Sequence, residues 1–113
     1  MSRLTDQIDL ITAHADAHQL PDAGLTLTVP TSSAPTIHPR CFGDFVAWAA
    51  TLAELVILAP LGGQDLVARG DLDSGLLVTV TTGVPAGVRV QPGPVTLERL
   101  QWIAEHLPAG VRA

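Results

Sequence analysis

Two sets of residues interleave one by one from Leu66 to Leu72 and again from Leu76 to Thr81, one set of apolar residues and glycine, the other holding all the polar ones. On the first run Leu66, Ala68, Gly70 and Leu72 interleave with Val67, Arg69 and Asp71. On the second, Leu76, Val78 and Val80 interleave with Leu77, Thr79 and Thr81. A period of two puts each set on one face of a sheet. Asp73, Ser74 and Gly75 lie between the runs, and Asp and Gly accept the positive φ that tight hairpin loops require. The stretch 64–83 therefore predicts a β-hairpin.

Elsewhere the spacing lengthens. Leu4, Ile8, Ile11 and Ala15 recur at four, three and four residues, which predicts a helix over 3–19. Pro21 stops it, and residues 22–24 form a turn. Leu25, Leu27 and Val29 alternate with Thr26 and Thr28 in a strand closed by Pro30. Residues 31–40 hold Pro35 and Pro39 and have no apolar period, so they read as the longest loop. Phe42, Phe45, Val46, Ala49, Leu52 and Ala53 form one stripe of a second helix over 41–54. The apolar run 55–59 follows as a buried strand. After the hairpin, Val88, Arg89 and Val90 read as a short strand or extended edge, broken by Pro92-Gly93-Pro94. A last helix runs from about Val95 to Leu107, with Leu97, Leu100, Ile103, Ala104 and Leu107 on its inner side. The order α-β-α-β-β-β-α predicts an α+β fold with three helices and a mostly antiparallel sheet of about four strands. With neither an internal repeat nor a linker, residues 1–113 read as a single domain.

The segment DFVAWAATLAE, then a strand, then VARGDLDSGLLVTVTTGV, resembles small uncharacterised proteins of actinomycetes and their mobile elements. The shared features are a helix containing Trp-Ala, a gap with a glycine turn, and a Gly-x-Leu-Asp-x-Gly hairpin, over about residues 44–84. The resemblance carries no assigned activity and so no catalytic residue.

Composition narrows the function classes. Of 113 residues, 47% are hydrophobic and 15% charged, against about 25% charged in ordinary domains. That balance excludes disorder and leaves apolar surface for a partner. The net charge is −5, and the 6 basic residues, all Arg, are scattered. Nucleic-acid binders show a basic face, so nucleic acid is not an expected partner. The run from Phe42 to Leu61 is too polar to cross a membrane, and the N-terminus has no apolar run of a signal peptide. A cytoplasmic protein is expected. The absence of Lys, Asn and Tyr, whose codons are AT-rich, points to a high-GC genome, that of an actinomycete or one of its phages.

Catalytic motifs are missing. There is no Lys for a phosphate loop, no G-x-G-x-x-G and no G-x-S-x-G. Asp71 and Asp73 straddle the hairpin turn, where Asp serves the backbone. Arg69-Gly70-Asp71 spells an adhesion tripeptide but falls inside a strand. Cys41, next to His38 and Arg40, opens the second helix and reads either as a thiol of lowered pKa or as a small buried residue. His14 and His18, four apart on the first helix, could share a metal, but zinc needs three or four ligands. Further ligands would have to come from the 31–41 loop, through His38 or Cys41. The bland alternative makes both histidines boundary residues of the helix stripe.

Two functional readings result. The first is a non-catalytic interaction or regulatory module without cofactor or metal, binding a protein partner or itself, with a homodimer as the expected self-associated form. Its contact residues are Arg99, Trp102 and His106, recurring at three and four on the outer side of the last helix, together with Trp48 on the flank of the second. Trp beside Arg is a common composition of interface hot spots. The second reading is a small metal-binding protein or enzyme using His14 and His18 with the 31–41 loop.

Overall fold

Every second residue from Leu66 to Leu72 is buried, as are Val78 and Val80 on the second arm, and those residues build the floor of the protein's core. In the computed structural model, which describes residues 3–20, 25–28, 34–60, 65–85, 88 and 90–107, β4 (Asp65–Asp71) and β5 (Leu77–Gly83) pair antiparallel in full register. Leu66, Ala68, Val78 and Val80 are buried on one side, while Arg69 and Leu77 are exposed on the other. Gly75, at φ +89°, takes the left-handed turn position that favours glycine. The Leu72 and Leu76 backbones close the loop with a 2.9 Å hydrogen bond.

Around this hairpin stand α1 (Arg3–His18), β1 (Thr26–Thr28), β2 (Thr36–His38), α2 (Phe42–Ala49), β3 (Ala53–Ala59), β6 (Gly93–Val95) and α3 (Leu97–Glu105). The α+β class holds. The sheet, however, has six strands in the order β1-β2-β5-β4-β3-β6, and it is mixed, because β2 pairs parallel to β5. Two of the strands lie where the sequence pattern shows none. β2 falls inside the expected loop; its three residues, set between Pro35 and Pro39, are too few to display a period. The last strand is 93–95, and of the expected 88–90 the described Val88 and Val90 lie outside any strand. Proline is tolerated on an edge strand, and Pro94 sits on one, facing Leu58 of β3 alone. Arg89 and residues 86–87 lie outside the described residues, as do Pro21, the turn 22–24 and Pro30.

Helix ends shift for local reasons. α1 finishes at His18, with Gln19 at φ +53° and the Leu20 N–H returning to the Ala15 carbonyl at 2.9 Å, a left-handed cap of the Schellman kind. α2 stops at Ala49 rather than at residue 54, because the Thr51 and Leu52 N–H groups turn back three residues, to Trp48 and Ala49. α3 starts after Thr96, whose hydroxyl accepts the Arg99 N–H at 3.1 Å.

The three helices supply one side of the core. Phe42, Phe45, Trp48 and Ala49 of α2, Leu100 and Ile103 of α3, and Ile11 and Ala15 of α1 join Ile37, Ile57, Leu66, Val78 and Val80 in one buried cluster. Burying a side chain of this size contributes about 1.5–3 kcal/mol. On α1 the inner arc is Ile11, His14 and Ala15, while Ile8, expected on the stripe, is exposed. The other side of the sheet carries no helix of the described residues; there Val56, Leu58 and Leu77 are exposed. Among the described residues no helix is long and apolar enough to cross a membrane.

Candidate functional site

Helical spacing sets His14 and His18 one turn apart on α1, and the fold brings the β4–β5 turn up against them. The two imidazoles lie 4.4 Å apart, centroid to centroid. His14 is only 3% exposed, the one buried polar residue among those described, and its ring stacks 6.2 Å from the Trp48 indole. His18 Nε2 meets Asp73 Oδ2 at 2.7 Å.

The hydrogen bonds around His14 define its protonation. The Asp73 backbone N–H donates to His14 Nδ1 at 3.1 Å. An amide can only donate, so Nδ1 is the acceptor and the ring proton sits on Nε2. Nε2–H then donates to Thr51 Oγ1 at 2.8 Å, and the Thr51 hydroxyl donates to the Trp48 carbonyl, also at 2.8 Å. This relay ties α1, the end of α2 and the hairpin turn together. His14 Nδ1 and Asp73 Oδ2 are 3.8 Å apart, but with Nδ1 unprotonated this is proximity rather than an ion pair.

Burial above all, and then the neighbouring His18, hold the His14 pKa below the usual histidine value, against a smaller opposing pull from Asp73. Above about pH 6.5 the ring is neutral whether the chain is folded or not. Below that value the unfolded chain takes up the proton while the folded ring resists. Stability is therefore expected to fall as the pH drops from about 6.5 through the folded-state pKa. Urea midpoints at neutral and mildly acidic pH check this; a midpoint that rises on acidification contradicts it.

Among the described residues, His14, His18 and Asp73 are the group of three or more potential ligands close enough to share a cation, with one ligand atom from each lying within 4.8 Å of the others. Neither His38 nor Cys41, the expected further ligands, joins them. His38, on β2 next to buried Ile37, projects to the helix-free side of the sheet and touches the Thr28 hydroxyl at 3.4 Å. Cys41 is a half-buried N-cap of α2 whose side chain makes no capping bond. The sequence pattern singles out the two histidines but not Asp73 or Thr51. Asp is expected in a hairpin turn anyway, and nothing local ties position 73 to position 14.

The expected contact residues separate. Trp48 is 0% exposed and belongs to the core, which corrects its placement on a surface; α2 is covered by the sheet on one side and by α1 and α3 on others, so its buried arc is wider than one stripe. Trp102 is 51% exposed. The Arg99 guanidinium lies 4.9 Å from the indole centroid, and the His106 ring stacks on the indole at 4.4 Å and 16°. His106 Nδ1–H donates to the Trp102 carbonyl at 2.8 Å. Arg99 approaches from the turn before and His106 from the turn after, so both expected neighbours pack on the exposed indole. A groove of about 850 Å³ beside the start of α3, lined by Val88, Val90, Val95 and Arg99 among others, offers no acid–base pair.

Comparison with protein-family models, with curated proteins and with solved structures gives no significant match.

Proposed function

We propose that the protein is a non-catalytic interaction module of a high-GC bacterium or its phage, and that it pairs with a second copy of itself through the helix-free face of the sheet. The observation that carries this reading is the exposed apolar group Val56, Leu58 and Leu77, borne on β3 and β5 on either side of β4. The fold builds a six-stranded surface there and covers it with none of the described helices.

The charges on that face fit a like partner. Arg69 stands among the apolar residues, opposite Val56 on β3 and Thr79 on β5. Asp71 and Glu54 lie at one end, lining the same shallow depression of about 350 Å³. None of the three is in an ion pair among the described residues. A two-fold axis through the face sets each Arg69 against the partner's acidic end, as a self-complementary contact requires. The outer side of α3 is the weaker candidate because Trp102 there is a single exposed aromatic already packed against Arg99 and His106.

Light scattering on the full chain at micromolar concentration is expected to give a dimer. The double substitution Val56→Asp, Leu58→Asp alters exposed positions only and places carboxylates in the apolar contact. It should weaken association by about thirty-fold or more, as loss of a hot spot does. A strictly monomeric wild type refutes the reading.

A further inference from the structure

We infer that His14, His18 and Asp73 form a binding site for a divalent cation of the zinc class, which clamps α1 to the β4–β5 turn. The donor set is two imidazoles and one carboxylate, chemistry that suits zinc and its neighbours rather than magnesium or calcium. With metal–ligand bonds of about 2.0–2.2 Å, two ligands on a tetrahedral ion stand about 3.3 Å apart. Here His18 Nε2 and Asp73 Oδ2 are 2.7 Å apart, and His14 Nδ1 and Asp73 Oδ2 3.8 Å. Small rotations of the two exposed partners, His18 and Asp73, bring all three atoms onto one ion, and water completes the coordination.

The strongest support is the orientation of His14. Ligating histidines commonly donate their other ring N–H to an outer partner, which fixes the tautomer and aims the lone pair at the metal. His14 is already held this way, with Nε2–H on Thr51 and Thr51 in turn on the Trp48 carbonyl. The Nδ1 lone pair faces the Asp73 side, where the only donor it meets among the described residues is the Asp73 amide at 3.1 Å. That amide sits in an exposed turn and can pass to water when the ion arrives. The buried ring provides a rigid ligand, and the two exposed side chains provide the adjustable ones.

The inference is independent of the sheet face. Zn²⁺ alone is titrated into the full chain, free of any histidine tag, with calorimetry and thermal unfolding as readouts. The expected result is binding of a single ion per chain at micromolar Zn²⁺ and a raised unfolding midpoint. His18→Ala and Asp73→Asn each remove a ligand from an exposed position and should weaken binding by well over ten-fold. Thr51→Val, which removes only the outer partner, should weaken it by about ten-fold or more. Circular dichroism verifies that each variant is folded. No binding at micromolar Zn²⁺ overturns the inference. So does binding that His18→Ala and Asp73→Asn both leave unchanged, since the ion would then sit elsewhere, at His38 or His106.

Discussion

Trp48→Ala is expected to remove about 3–5 kcal/mol of stability, the range for deleting a buried large aromatic side chain. The indole is fully buried in the core cluster and is the platform against which the His14 ring stacks. Truncation leaves a void between α1, α2 and the sheet that close-packed neighbours cannot fill. Small domains have only about 5–15 kcal/mol in total, so the loss is a large fraction of the stability and the unfolding midpoint should fall sharply. Urea denaturation followed by circular dichroism measures the loss. A decrease below about 1 kcal/mol would show that the cavity collapses, and with it that the helix layer is not held apart by this side chain.

Gly70→Ala is the second large effect, and its cause lies in the backbone. Between the paired residues Ala53–Asp71 and Val56–Arg69 the register of β3 against β4 slips, so that Glu54 and Leu55 face Gly70 alone. Glu54 adopts φ +53° at this bulge. The bulge presses the end of the α2–β3 connection onto β4. A Cβ on Gly70 would stand 2.7 Å from Leu52 Cβ and 2.8 Å from the Ala53 carbonyl oxygen. Neither atom is the free end of a flexible chain, so the backbone itself must move, at a cost of about 1–3 kcal/mol. The same denaturation measurement tests this; a wild-type midpoint would mean that the connection yields without penalty.

How much of this was legible in the sequence depends on how local the signal is. The hairpin is written in adjacent residues, alternation and turn together, and the structure follows it residue for residue from Leu66 to Val80. The inner stripe of α3 is equally local, and Leu100 and Ile103 are buried while Trp102 faces out. β2 is different. Its place in the sheet comes from contacts with β5, far along the chain, and three residues between prolines cannot announce that. Trp48 lies on the flank of the single apolar stripe that the α2 sequence displays and is nonetheless buried, because a helix packed from several directions buries more of its circumference. The candidate site divides along the same line. His14 and His18 share a helix and are visible at a glance; Asp73 and Thr51 reach them only through the tertiary fold. Gly70 reads simply as a small residue in the alternation, and its necessity emerges only when the slip in β3 is seen.

The parallel seam between β2 and β5 also dictates an order of assembly. β4 and β5 meet by closing one tight turn, and β3 follows from the adjacent segment. Joining Ile37 to Val80 requires gathering all the chain between them, a larger entropic toll before any reward. The short β1–β2 margin is thus expected to join the sheet after the hairpin and to open before it, as is the three-residue β6 at the other edge. Such an opening would bare the flank of β5, a full seven-residue strand, to stray strand pairing.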